Sequence, residues 1–423
     1  MFGGALAAGL ARRRPAAQAG IGQARGQAML INNWYVAAET TELTPGKPLG
    51  KKMLGFDFVL FRTADGTVSC LHDVCAHRGA SLQRGKICGE KHERVACPFH
   101  GWEFNAEGKC TTIPSMGPDF PIPNRARVDS YPVEEKYGLV WVFLGDLPAD
   151  RRPEVPELLP EYNAETGWRC MHWSNVVPTG WTKAKENSLD TAHLSFVHST
   201  FGNRQSPRAV FAPIERTRYG ARVERVRDAP KAAQKSGVMA ELLSEERAKT
   251  KVTLEFAMSG ICHRIAPEFR PGMLQVTYAA YTPIDRLNTQ VYAITARNFA
   301  LEEKYDEERM KGNMLAAAED GAVVRHVRPR LGPTPLKDEV LIRADEMETI
   351  FRRLCVQMIE KGWEIDSAKV EAEWDTKVYA IPCPARREPG TQWVHDPVPT
   401  TRPRDYENES FDFRGAAIPE AAE

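Results

Sequence analysis

The sequence predicts an α+β protein, with an all-β unit at the N-terminal side and a second unit of antiparallel sheet and long helices. Three observations predict it. Between Lys52 and Gly145, short runs of β-branched and aromatic residues alternate with tight turns. From Leu147 to Pro160, four prolines stand among charged residues, the composition of a linker. Beyond that point, strand-like runs between Val252 and Ala300 precede two amphipathic patterns of helical period, Leu301–Ala318 and Leu336–Trp363. The expected division is a tail over 1–28, a first domain over 29–147, a second over 148–398 and a tail over 399–423.

The elements follow in order. Residues 1–28 carry four arginines, much Ala and Gly and no acid, which reads as a disordered tail or an upstream start; a targeting peptide is the alternative. Globular patterning begins at Met29. Phe56–Phe61 and Val68–His72 flank the turn Ala64-Asp65-Gly66, a hairpin. Glu103–Lys109 turns at Glu107-Gly108, and Tyr137–Leu144 is a strongly apolar strand. Trp181–Phe196 reads as a helix and Met273–Tyr281 as a strand. Tyr219–Thr250 is polar and reads as a surface insertion or lid. Pro399–Glu423 is polar and aperiodic, a mobile tail.

Composition excludes several classes. The 423 residues carry 56 basic and 56 acidic side chains, so nothing marks a nucleic-acid or anionic-membrane surface. No stretch approaches the ~20 apolar residues of a membrane-spanning helix. Nine scattered cysteines are no disulfide framework and fit a reducing, cytoplasmic setting. Five of them fall between positions 70 and 110, which directs attention to metal ligation there.

That segment contains Cys75-Ala76-His77 and, nineteen residues on, Cys97-Pro98-Phe99-His100. A structural zinc site is one reading, but zinc fingers usually place cysteines together and histidines together. Here each pair supplies one thiol and one imidazole, which suits a [2Fe–2S] cluster with two Cys on one iron and two His on the other. Neutral imidazoles raise such a cluster's potential from about −400 mV to roughly −150 to +300 mV.

The runs His72–Ala80 and Cys97–Trp102 resemble the Rieske domain of ring-hydroxylating oxygenases, with a slightly longer spacer near Gly89–Arg94. The resemblance makes Cys75, His77, Cys97 and His100 the cluster ligands, and Cys70, Cys88 and Cys110 small buried residues.

A second constellation is Asn187-Ser188-Leu189-Asp190-Thr191-Ala192-His193-Leu194-Ser195-Phe196-Val197-His198. Asp190 and His193 share a helix face, whereas His198 meets the same metal only if the helix loosens or ends near Phe196. Two histidines and a carboxylate with open positions form the facial triad of non-heme iron(II) oxygenases. Two ordinary helix histidines beside a solvated Asp190 would look the same. The order Asn-x-x-Asp-x-x-His-x-x-x-x-His is similar to the catalytic motif of the same family.

Over roughly residues 30–385 the chain therefore resembles the oxygenase (alpha) subunit of Rieske non-heme iron oxygenases, nearest the vanillate O-demethylase and dicamba monooxygenase branch. The resemblance implies a helix-grip catalytic domain, a homotrimer, a [2Fe–2S] cluster, mononuclear Fe(II) and O2 as cosubstrate. It implies that Asp190 lies between an iron-ligand histidine and a cluster-ligand histidine of a neighbouring subunit. Asn187 orients dioxygen or a histidine, or is a helix-surface residue. Asp320 is the best match for the third iron ligand, with Glu319, Asp366 and Asp375 as rivals.

No Gly-x-Gly-x-x-Gly fingerprint and no four-cysteine ferredoxin spacing is present, so electrons are expected from a separate NAD(P)H-dependent reductase or ferredoxin. The implied reaction is monooxygenation or O-demethylation of an aromatic or other apolar ring. The alternatives are cis-dihydroxylation, sterol or alkaloid oxidation, a non-catalytic Rieske electron carrier and a metal-stabilised binding protein.

Overall fold

The computed structural model describes residues 28–162, 165, 167–199, 204–205, 207–228 and 249–414. The expected N-terminal tail lies outside the described residues except for Ala28, which is buried and donates its N–H to the Gly332 carbonyl (3.1 Å).

Three small antiparallel sheets make the N-terminal unit. One orders Leu49–Met53, Phe56–Arg62, Val68–His72 and Ser130–Tyr131; a second orders Lys86–Cys88, Arg94–Ala96, Glu103–Asn105 and Cys110–Thr112. The third places Leu139–Leu144 between Asn33–Glu39 and Val133–Lys136. The Asp65 hairpin forms as its turn chemistry requires, with the carboxylate accepting the Thr67 N–H (3.0 Å). A compact core of Val59, Phe61, Leu71, Val95, Phe104 and Val128 lies beneath the second sheet.

The C-terminal unit is one seven-stranded antiparallel sheet: β1 (Arg169–Val177), β2 (Ile214–Arg216), β3 (Gly220–Asp228), β4 (Lys249–Ala257), β5 (Cys262–Arg270), β6 (Met273–Asp285) and β7 (Asn288–Arg297). Its order is β1-β7-β6-β5-β4-β3-β2. Strand alternation divides β6 and β7 between two faces. Thr282 and Tyr292 donate to the Val36 and Ala37 carbonyls (2.8 Å each), tying one face to the Asn33–Glu39 strand. The other face carries Thr277, Ala279, Tyr281 and Val291 and meets the helices across a cavity. One large apolar core runs through both units, so burial does not stop at the proline-rich stretch after Leu147.

The helices are α1 (Trp181–Leu189), α2 (Leu194–Val197), α3 (Asp306–Val324), α4 (Glu346–Glu360) and α5 (Ser367–Glu373). On α4, Met347, Ile350, Phe351, Leu354, Cys355, Met358 and Ile359 form the buried stripe. A buried network holds α1 to α4: Arg352 donates to both Glu186 oxygens (2.8 and 3.0 Å), and Lys183 reaches Glu186 (3.1 Å). No helix among the described residues is long and apolar enough to cross a membrane.

Four expectations are corrected. Trp181–Phe196 is two helices, because the Asp190 carboxylate accepts the Ala192 N–H (2.6 Å) and takes the backbone out of the helix. The second long helix starts at Glu346, after two short turns that follow Pro335, and ends before Gly362 in a left-handed conformation (φ 72°). Tyr219–Thr250 is no surface excursion at its ends, which are strands β3 and β4; residues 229–248 lie outside the described residues. Pro399–Arg414 is no free tail: Phe411 stacks on Trp363 (5.7 Å) and Phe413 is 1% exposed. Two aromatics in a polar stretch carry no periodicity, so the sequence hides their docking.

Candidate functional site

Two similar loops carry the Cys/His pairs. Cys75 and Cys97 each accept at their carbonyl an N–H from a glycine four residues on, Gly79 (2.9 Å) and Gly101 (3.0 Å). Both glycines have positive φ (72° and 71°), which closes each loop without a Cβ clash. The first loop is held from behind by Asp73, which accepts from Ser81, Gln83 N–H and the Gln83 amide at 2.6–2.7 Å.

The loops bring the four residues together. The rings of His77 and His100 are 4.6 Å apart, and His77 stacks flat on Trp102 (4.4 Å, 3°). Cys75 and Cys97 are buried, while His100 is exposed. Burial pushes the Cys75 thiol up to about 12, with the Cys97 sulfur adding to the rise; the N–H groups of His77 and Arg78 oppose it. His77 Nδ1 is buried without a hydrogen-bond partner. Thiols inside, imidazoles outside and an orphaned ring nitrogen fit a cluster. Among the described residues these four do not gather as tightly as one ion requires, since only a different trio lies within 4.8 Å. The spread suits two irons better than one zinc.

That trio is His193, His198 and Asp320. The break at Asp190 lets the chain turn, so His193 precedes α2 and His198 follows it in extended conformation. Asp320 comes from α3. Its Oδ1 lies 3.4 Å from His193 Nε2 and 3.3 Å from His198 Nε2. Oδ1 is buried and accepts no well-aligned hydrogen bond, as expected of an oxygen that shares a cation with both rings.

The far nitrogens are also engaged. His193 Nδ1 faces Asp190 Oδ2 (3.4 Å), and His198 Nδ1 faces Glu319 Oε2 (3.1 Å). Each imidazole is thus flanked by two carboxylates, which fixes which nitrogen points at the metal position. Burial alone lowers the His193 pKa, yet Asp190 and Asp320 outweigh it and hold the ring up to about 9. Burial likewise works against the Asp320 carboxylate, but His193, His198 and the Asn187 amide keep it well below its usual range.

Asn187 lines the same cavity as Asp320. Glu319, a rival for Asp320, is the His198 partner and also accepts from Ser199 (2.5 Å). Asp375 is exposed, and Asp366 caps α5 by accepting the Lys369 N–H (3.0 Å); neither approaches the trio. Sequence reasoning missed the role of Glu319, because adjacent acids on a helix look alike until their partners are known. It also missed Arg227 and Arg309, which line the same cavity as the trio.

The cavity has a volume of about 860 Å³ and is bounded by the sheet, the α1–α2 region and α3. Its lining is mainly apolar around the trio, including Leu254, Ile265, Ala279, Val291 and Ala316.

Residues 33–132 match the Rieske [2Fe-2S] domain, and residues 177–361 match the vanillate O-demethylase oxygenase C-terminal domain. The chain belongs to the Rieske non-heme iron oxygenases. It is 27% identical over 333 residues to methylxanthine N1-demethylase NdmA of Pseudomonas putida, covering 76% of this chain and 86% of that one. The structure of that protein with caffeine superposes with a TM-score of 0.65 at 25% identity, covering 78% and 90% of the two chains. The 3-chlorobenzoate-3,4-dioxygenase oxygenase subunit of Comamonas testosteroni is 36% identical over 170 residues, 39% of this chain. The matched region spans about a third of the length of that relative and of a tert-butanol monooxygenase oxygenase subunit from Aquincola tertiaricarbonis (37% and 34%). A dicamba monooxygenase structure shares the fold, with a TM-score of 0.65 at 21% identity. The first of the two domain matches is to a domain that holds a [2Fe–2S] cluster, in keeping with the Cys75, His77, Cys97 and His100 loops.

Proposed function

We propose that the protein is the oxygenase component of a multicomponent system that monooxygenates or O-demethylates an apolar ring compound. The carrying observation is the convergence of His193 Nε2, His198 Nε2 and Asp320 Oδ1 on the wall of the 860 Å³ cavity. Two imidazoles and one carboxylate leave coordination positions free for chemistry, unlike a closed structural site. When bound, the cluster supplies single electrons and the iron supplies the oxidising centre. Cys75, Cys97, His77 and His100 would hold the first, and His193, His198 and Asp320 the second.

The remaining residues position these ligands. Asp190 and Glu319 orient the imidazoles, the Asn187 amide favours the ionised Asp320, and the apolar cavity wall excludes water from the substrate. A carrier of electrons alone would need neither the trio nor the cavity. Demethylation is supported by the C-terminal family match and by the demethylase NdmA.

Electrons would come from a separate reductase or ferredoxin meeting the surface beside His100, where Phe99 is 61% exposed. Asp190 keeps about a third of its side chain exposed while facing His193, which supports an encounter with the cluster imidazole of another copy in a homotrimer. All nine cysteines are unpaired, which supports a cytoplasmic setting. The test is anaerobic purification followed by iron and acid-labile sulfide analysis, then oxygen uptake with NADH, a surrogate reductase and a panel of ring substrates. About three irons and two sulfides per chain with substrate-dependent uptake are expected; stoichiometric zinc, or iron without uptake on any substrate, contradicts the reading.

A further inference from the structure

The cavity carries arginines that form no ion pair among the described residues. Arg225 and Arg227 enter it from β3, where alternation puts both on the face of Val223. Arg309 enters from α3 and donates to the Gln275 side chain on β6. The Nε atoms of all three are buried with no hydrogen-bond partner, and among the described residues none of the three forms an ion pair. Arg225 still has Thr191 as a distant partner (3.5 Å), whereas the Arg227 side chain makes no hydrogen bond to the described residues. Burial holds the guanidinium pKa of Arg227 and Arg309 below its ordinary value; for Arg309 the nearby Arg297 adds to this and Glu308 offsets only part. The carboxylates that line the cavity are Asp190, Asp320 and Glu308; the first two face the imidazoles and Glu308 has an interaction of its own, while Glu346 and Glu348 of α4 act on Arg225.

The charge is separated from the metal position. Arg309 and Asp320 are eleven residues apart on one helix, about 16 Å along its axis. Between them α3 turns Gly312, Asn313, Ala316 and Ala317 to the cavity, small side chains that leave room for the body of a ligand. A buried cation without a counter-ion is costly, and a carboxylate paired to its fork removes that cost.

Resting on the oxygenase reading, we infer that the cavity takes an anionic substrate: an elongated, apolar ring compound whose carboxylate pairs with Arg309 while its far end reaches the His193–His198–Asp320 centre. Gln275 orients the Arg309 fork, and Arg227 adds positive potential from β3 without touching the carboxylate.

Calorimetric titration of the purified protein with 4-biphenylcarboxylate and its neutral partner 4-biphenylcarboxamide tests this without turnover. The acid is expected to bind at least tenfold tighter than the amide. Arg309→Met removes that preference, Arg309→Lys keeps part of it, and Arg227→Met reduces it two- to fivefold. Circular dichroism and iron content check that each variant is folded and loaded. Equal binding of the two probes by the wild-type protein overturns the inference, as does a preference that survives Arg309→Met. A protein that prefers the acid yet holds no iron overturns the oxygenase reading instead, so the two failures are distinguishable.

Discussion

Glu319 and Asp320, neighbours on α3, grip opposite edges of one imidazole: Glu319 Oε2 lies 3.1 Å from His198 Nδ1 and Asp320 Oδ1 lies 3.3 Å from Nε2. One side chain aims the ring and the other shares its target, so adjacent acids of the same chemistry have separate expected phenotypes.

Asp320→Ala is expected to remove the mononuclear iron and leave the cluster's visible spectrum intact. Asp375→Ala, at an exposed turn after α5, is expected to change neither. Iron analysis beside the cluster absorbance checks both. Iron loss in the Asp375 variant alone would reassign the third ligand.

Glu319→Gln keeps the shape but loses the charge that orients His198. Loss of such an outer partner typically weakens metal affinity about 10–100-fold. Competition against a graded series of chelators measures it, and unchanged affinity would make Glu319 a mere surface contact of Ser199.

His100→Cys is expected to retain a cluster at lower potential, since a thiolate adds negative charge where an imidazole added none. The midpoint should move toward the roughly −400 mV of all-cysteine clusters. Voltammetry that finds the midpoint unmoved would remove His100 from the ligand set.

Asp190→Asn should leave both metals bound while turnover falls about 10–100-fold, the usual scale for losing an orienting partner. Mixing a subunit lacking His100 with one lacking His193 should restore activity if electrons cross between copies. Failure of such mixtures to recover any turnover would confine electron transfer to one chain.

Glu348 gives a pH dependence. It is buried on α4 with both oxygens unpartnered, and burial, with Asp190, Asp345 and Glu186 nearby, pushes it from 4.5 to about 8. A carboxyl raised in the folded state leaves stability intact below about 4.5 and erodes it as pH climbs to about 8, by on the order of 1.4 kcal/mol per unit. Glu348→Gln should therefore stabilise the protein more at pH 8 than at pH 5. Urea melts at the two pH values test it, and equal gains would show that Glu348 is ionised throughout.

Much of this protein was determined locally. Cys75-x-His77 and Cys97-x-x-His100 fix loop chemistry by residue type and spacing, and Asp65-Gly66 fixes its hairpin, because turns answer to their own few residues. The α+β class and the long C-terminal helices followed from hydrophobic period. His193 and His198 were legible as a pair through the similarity of their motif to that of the family, whereas helix period alone sets His198 off the face of His193.

Tertiary structure decided the rest. Only packing against α2 distinguishes Asp320 from Glu319, since both sit on α3 with the same charge and differ by about 100° around the helix. Only the pairing of β3 within the sheet and the packing of α3 over it give Arg227 and Arg309 a common space. The docking of Phe411 and Phe413 beside Trp363 needed the whole core to exist first. A sequence specifies which groups are present and how short segments bend; which distant groups share one buried volume depends on long-range packing, where each contact forms between residues with no local signal for one another.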